Sequence, residues 1–212
     1  MPVWAWVVVA FVVGTIPTPY LIALAARRSD VITEMRRQES PGDAHFLVAS
    51  RMSRTMGITA IVLDVLKGFI PALVAAAAGE PPVTLAWLGV AAVAGHSFAP
   101  FIRKAGGRGL TTAAGVSLVI IPKAMVGTGI ISVVGTAGRR GGLGTSVGFA
   151  LLPVFALLFD YDGALVAMSL AIYGLIAVRR LEGIEEDVRA GVPIPRAVLG
   201  RLLFDLPKGR GR

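Results

Sequence analysis

The sequence predicts an all-α, polytopic integral membrane protein with seven transmembrane helices, the N-terminus outside and the C-terminus in the cytoplasm. Three observations carry that expectation. Hydrophobic residues make up 55% of the 212 positions, with a mean hydropathy of +0.74. Apolar runs long enough to cross a bilayer recur through most of the chain. Lys and Arg gather in alternate connections between those runs. Cysteine is absent, which excludes a disulfide framework, a thiol nucleophile and a Cys-ligated metal site. With only His45 and His96, a histidine metal cluster is not expected either, and neither a metal nor another cofactor is predicted. The net charge of +8 and pI near 10.8 are read as basic loops facing anionic lipid, with no nucleic-acid partner.

The apolar segments fall at 3–26, 55–79, 84–101, 109–121, 124–138, 143–159 and 163–178. The first begins directly after Met1 and Pro2, with no basic stretch before it and no cleavage-like site after it, so it reads as a retained helix. Gly14-Thr15-Ile16-Pro17-Thr18-Pro19-Tyr20 interrupts it, and such a break frees backbone groups that need partners. A kink beside a cavity and a kink for packing both fit. In the second segment Asp64 and Lys67 lie three residues apart on one helical face, where they pair either as a structural ion pair or as part of a site. The thirteen residues 109–121 rise only about 20 Å, so they form a short helix or one kinked span with 124–138, broken at Pro122. Two helices are preferred, because a single span breaks the charge alternation that follows. Residues 1–184 are taken as the membrane domain and 185–212 as a basic cytoplasmic tail, ending in a short surface helix or in disorder.

The orientation comes from charge. Arg27, Arg28, Arg36, Arg37, Arg51 and Arg54 fill the first long connection; Arg103, Lys104 and Arg108, then Arg139 and Arg140, fill later ones, and eight more cations follow residue 178. Only Lys67 and Lys123 lie elsewhere. The intervening connections, near Glu80, Pro122 and Asp160 to Asp162, are acidic or proline-containing. The positive-inside rule therefore puts the basic connections in the cytoplasm, with an odd number of crossings.

The densest polar sequence is Gly95 to Val116, GHSFAPFIRKAGGRGLTTAAGV, on the cytoplasmic side of this topology. Gly106, Gly107 and Gly109 surround Arg108 just ahead of an apolar run. Glycines allow a ligand close to the backbone, and a helix start favours an anion. With Arg103 and Lys104 nearby, the ligand predicted is a phosphate. Glycines placed for helix packing, and a structural His96, remain the alternatives.

Gly14-Thr15-Ile16-Pro17, Leu63-Asp64-Val65-Leu66-Lys67-Gly68 and the Gly95–Val116 motif resemble, in order and spacing, the bacterial acyl-phosphate glycerol-3-phosphate acyltransferases, the PlsY family. The similarity spans most of residues 10 to 184. It implies seven helices in the bacterial inner membrane, with a site facing the cytoplasm. It also implies transfer of a fatty acyl group from acyl phosphate to glycerol 3-phosphate, giving lysophosphatidic acid for phospholipid biosynthesis. His96, Gly106, Gly107, Arg108 and Gly109 match the family's phosphate loop, with Arg108 in place of its usual Lys. Ala105 falls where another Lys is common, and Lys104 stands one position away. Arg139, Arg140 and Ser146 match the third motif, in which Leu143 replaces an earlier serine, while Asp64 and Lys67 match the helix-two pair. Catalytic candidates are thus Ser40, Arg139, Arg140 and Ser146, with His96, Lys104, Gly106, Gly107, Arg108 and Gly109 as phosphate binders.

The chain departs from the family at two places. Where the first loop has a serine, glycine and asparagine run followed by Val-Gly-Ala-Thr-Asn, this chain has Ser40-Pro41-Gly42-Asp43-Ala44-His45-Phe46-Leu47, and it contains no asparagine. Where the family has His-Arg-Glu-Asn-Ile, the chain has Arg180-Leu181-Glu182-Gly183-Ile184. Three readings follow: an acyltransferase using acyl phosphate and glycerol 3-phosphate among membrane lipids, an impaired relative that binds a phosphorylated lipid or headgroup, and a small anion transporter. Against the transporter stands the lack of an inverted repeat.

Overall fold

A computed structural model describes residues 1–37, 44–99 and 107–204, and among these all regular structure is helical. Each of the seven apolar segments carries helix. The first is broken: α1 (Val3–Gly14) and α2 (Thr18–Ala25) meet at 47° across Thr15, Ile16 and Pro17. Pro17 cannot donate, and the following Pro19 sits in the first turn of α2, where a missing N–H is tolerated. The connection at 27–54 is not simple loop. It contains α3 (Ser29–Arg37) and α4 (Ala44–Arg51), because Val31, Met35 and Leu47 bury themselves with Tyr20 and Ala23 of α2. Val31 and Met35 are one helical turn apart, so a single face is buried while Asp30 and Arg36 remain exposed.

Ser53 then caps α5 (Arg54–Ala77), accepting a hydrogen bond from the Met56 N–H at 3.1 Å. The remaining apolar helices are α6 (Pro82–Ser97), α7 (Leu110–Ile120), α8 (Pro122–Ala137), α9 (Gly141–Leu158) and α10 (Gly163–Leu181). Pro122 ends one helix and starts the next, so 109–138 forms two helices. By length and composition α5, α9 and α10 are able to span a bilayer, and the bent α1–α2 pair makes a fourth; α6 and α7 are shorter apolar helices. Ile58, Val62, Leu73, Val133 and Leu158 are exposed, as lipid-facing side chains are.

The chain divides into two compact units, Met1–Ile120 and Ile121–Arg212. Small residues bring the backbones of the first unit together. A Cβ on Gly14 would meet the Ala92 carbonyl, one on Gly95 the Phe11 carbonyl, one on Gly68 the Thr112 carbonyl and one on Gly115 the Val65 carbonyl. Hence α1 packs on α6 and α5 on α7 at a separation only glycine allows, the packing suited to helices in lipid. In the second unit α8 packs on α9 in the same way, with Gly135 against Gly144. Its C-terminal part is ordered helix: α11 (Ile184–Arg189), α12 (Ile194–Leu199) and a π-helical turn (Gly200–Phe204) that packs on α9 and α10.

Across the α5–α6 connection, the Trp6 indole N–H donates to Glu80 Oε1 at 2.6 Å and holds that carboxyl below its usual value. A lowered folded value means that this tie stabilises the fold above the unfolded carboxylate pKa of about 4.3 and is lost as pH falls through the folded value. Acid titration of tryptophan fluorescence in detergent is expected to show a transition below about pH 4 that Glu80→Ala removes. Superimposable titrations of the two proteins would discount the tie.

Gly115→Val forces α7 away from α5. The expected loss is about 1–3 kcal/mol, a fall of roughly 5 °C in the melting temperature of the detergent-solubilised protein. An unchanged melting temperature would mean that the close approach contributes nothing.

Candidate active site

A buried carboxylate in an apolar helix needs a donor for each lone pair it exposes. Asp64, midway along α5, is 1% exposed. Its Oδ1 accepts from Thr18 Oγ1 at 2.7 Å and from Lys67 Nζ at 2.7 Å, and its Oδ2 lies 2.5 Å from His45 Nε2. His96 Nδ1 stands 3.8 Å from Oδ1. Lys67 also donates to the Ile16 carbonyl at 2.9 Å, one of the groups freed by the break between α1 and α2. Thr112 Oγ1 of α7 donates to the Asp64 backbone carbonyl at 3.0 Å. Four helices of the first unit, α2, α4, α5 and α7, therefore meet around one acidic residue, and α6 joins them through His96.

The imidazole of His96 is buried, and Gly107 packs against its ring so closely that a Cβ there would collide with it. The Gly107 N–H donates to the His96 carbonyl at 3.0 Å, so this glycine folds the loop back onto the end of α6. Gly109, at φ +84°, adopts the left-handed turn that admits α7, and its carbonyl accepts the Ala113 N–H at 2.8 Å. Arg108 between them is half-buried. His45, Asp64, Lys67, His96 and Gly107 line one crevice of about 10 Å³, the space of a single water. Beside it runs an apolar groove of about 540 Å³ lined by Trp6, Val9, Val13, Leu63, Ile70 and Val74, and Ile16, Thr18 and Lys67 border both.

The first unit thus gathers Asp64, Lys67, His96 and Gly107 into one place, with Arg108 and Gly109 next along the chain. Ser40, Lys104 and Gly106 lie outside the described residues. Arg139, Arg140 and Ser146 belong to the second unit. Arg139, at φ +58°, and Arg140 are exposed at the turn between α8 and α9. Ser146 is buried in α9, where its hydroxyl donates to the Gly142 carbonyl at 2.6 Å and accepts from Arg180 Nη1. Arg180, standing where the resemblance expects a His, also donates to the Leu202 carbonyl at 2.6 Å. Arg201 donates to Asp187 Oδ2 at 2.5 Å and to the Glu182 and Gly183 carbonyls, which holds the C-terminal segment down.

A sequence profile described as glycerol-3-phosphate acyltransferase matches residues 4–189. The chain belongs to the glycerol-3-phosphate acyltransferase family. The family's enzyme from Geobacter sulfurreducens is 34% identical over 178 residues, 83% of this chain and 89% of that protein. The Geotalea daltonii enzyme is 32% identical over 183 residues, 86% and 91% of the two chains. The crystal structure of PlsY, an integral membrane glycerol 3-phosphate acyltransferase in its glycerol 3-phosphate form, matches with a TM-score of 0.76 at 25% identity, covering 91% of this chain and 94% of that one. The lysophosphatidic acid form of PlsY has the same fold, with a TM-score of 0.73 at 24% identity.

Two participants were not singled out by the family motifs. His45 lies in a part of the chain that departs from them, and Thr18 sits inside the kink. The available signal was stoichiometric: Lys67 alone does not satisfy a buried carboxylate, so further donors had to reach Asp64 from elsewhere.

Asp64→Ala leaves the Lys67 ammonium buried without its anion. Each single variant, Asp64→Ala or Lys67→Met, is expected to lose about 3–5 kcal/mol, and the double variant less than the sum of the two. Thermal unfolding of the four proteins in detergent measures this; strict additivity would show that the pair is not coupled.

Proposed function

We propose that the chain is a multi-pass acyltransferase of the bacterial inner membrane that moves a fatty acyl group from acyl phosphate to glycerol 3-phosphate. The products are lysophosphatidic acid and inorganic phosphate. The observation that carries this reading is the polar crevice around Asp64 sharing Thr18 and Lys67 with an apolar groove. An acyl phosphate needs both environments in contact, one for its chain and one for its reacting end. Family membership supplies the reaction class.

Seven crossings are supported by seven apolar helical segments, counting the bent α1–α2 pair once, and by the alternation of basic connections. That topology puts the N-terminus outside, and the C-terminus and the phosphate loop in the cytoplasm. Arg108 and Lys104 supply charge for a phosphate at the entrance to α7, and Gly109 allows the backbone to turn there. Phosphate is already a good leaving group, so holding two substrates in register and neutralising charge accounts for much of the rate. Arg139 and Arg140, at the entrance to α9, are assigned to a phosphate group as well, and Ser146 and Ser40 to polar contacts with substrate.

The second reading, a relative that binds a phosphorylated lipid without turnover, draws on one observation. Arg180 replaces the expected His and is committed to Ser146 and Leu202.

Purified protein given acyl phosphate and glycerol 3-phosphate is expected to release phosphate, with Arg108→Ala lowering the rate by about 10²-fold or more. Wild-type release no greater than that of Arg108→Ala overturns the acyltransferase reading. Binding of lysophosphatidic acid without turnover selects the second.

A further inference from the structure

The start of α9 is intrinsically weak helix. Three of its first four residues are glycine, Gly141, Gly142 and Gly144, and glycine is a poor helix former because folding costs it the most backbone freedom. Packing imposes the third of them, since a Cβ on Gly144 would strike the Gly135 backbone of α8. Just ahead stand Arg139 and Arg140, both exposed, with Arg139 in the left-handed region at φ +58°. A basic pair carried on so yielding a turn holds an anion well only if something else keeps the turn in place.

A connected run of hydrogen bonds reaches that turn from the C-terminal segment. Ser146 Oγ donates to the Gly142 carbonyl at 2.6 Å, which ties the second turn of α9 to the first. Arg180, in the last turn of α10, donates through Nη1 both to Ser146 Oγ and to the Leu202 carbonyl, the latter at 2.6 Å. Leu202 belongs to the π-helical turn, and the last carbonyls of a helix have no partner within it. Its neighbour Arg201 spends three nitrogens on the junction after α10: Nε on Asp187 Oδ2 at 2.5 Å, Nη1 on the Glu182 carbonyl at 2.5 Å and Nη2 on the Gly183 carbonyl at 2.9 Å. Arg180 and Arg201 are both buried, so water competes little for these charge-assisted bonds. Both α12 and the π-helical turn lie past residue 189, where the family match ends. The support for α9 therefore comes from outside the matched stretch.

We propose that residues 190–204 are a positioning element of the acyltransferase. Through Arg201, Leu202, Arg180 and Ser146 they hold the entrance of α9, and with it Arg139 and Arg140, in place for the phosphate of a substrate. The assignment rests on the acyltransferase reading above, in which the basic pair serves a phosphate. It also gives the arginine at position 180 a use that a histidine does not share. One Nη carries two N–H groups and bonds Ser146 and Leu202 at once, whereas an imidazole nitrogen carries at most one.

Arg201→Met removes the anchor and leaves Arg139, Arg140, Arg180 and Ser146 as they are. Hydrogen exchange is expected to quicken about 10-fold or more at the amides of residues 144–146, while those of residues 155–158 hold their protection. In phosphate release, Arg201→Met is expected to raise by about 10-fold the same KM that Arg140→Gln raises, with kcat within about threefold of wild type. Asp187→Asn, which takes only a charge from the anchor, moves both readings the same way by less, and it carries the test if Arg201→Met does not fold. Because the route runs through Arg180, Arg201→Met adds nothing to either reading in an Arg180→Met protein. Unchanged exchange and KM in the anchor variants overturn the proposal, as does full additivity of Arg201→Met with Arg180→Met. A wild-type protein that releases no phosphate overturns the acyltransferase reading, and this assignment falls with it.

Discussion

One buried anion organises the first half of this molecule. An aspartate placed midway along a 24-residue apolar helix cannot be left to the bilayer, because an unpaired charge there is worth several kcal/mol against folding. Lys67, one turn away, neutralises it but satisfies only part of its hydrogen-bonding capacity. Thr18 and His45 complete it, and each comes from a different helix. Those partners can arrive only because the first apolar segment breaks at Ile16-Pro17, which turns Thr18 inward and leaves the Ile16 carbonyl for the lysine. The kink, the short helices after it and the ion pair are therefore one solution to a single electrostatic demand.

The close helix contacts serve the same end. Glycines at 14, 68, 95 and 115 let α6 and α7 approach α1 and α5 until backbone touches backbone. That approach brings the His96 ring within 3.8 Å of the carboxylate and lets Thr112 bond the Asp64 carbonyl. Larger residues at these positions would hold the helices apart and open the cluster to lipid.

The legible part of the fold was the part governed by lipid. The apolar segments, the break at Pro17, the two short helices meeting at Pro122 and the Asp64–Lys67 pair all follow from hydropathy, proline and helical spacing. Contacts between residues far apart in sequence were not legible. His45 and Asp64 are nineteen positions apart and on different helices, so no period links them. Helices α3 and α4 were hidden because their charge reads as loop, while Val31, Met35, Leu47 and Val48 supply the buried side. Arg180 could be seen to replace a histidine, but its commitment to Ser146 and Leu202 depends on a C-terminal segment with no apolar periodicity long enough to announce it.

A membrane acyltransferase must bring a water-soluble alcohol phosphate to a donor whose chain belongs in lipid. At Thr18 and Lys67 a polar and an apolar environment meet: side chains that close the polar crevice on one side also end the apolar groove on the other. Pairing with Asp64 keeps Lys67 from drifting toward either solvent. The same pairing commits the protons of the lysine to Asp64 and to the Ile16 carbonyl. Within the crevice the imidazole at hydrogen-bond distance from that carboxylate is His45, so a residue of the first basic connection completes the charge buried in α5.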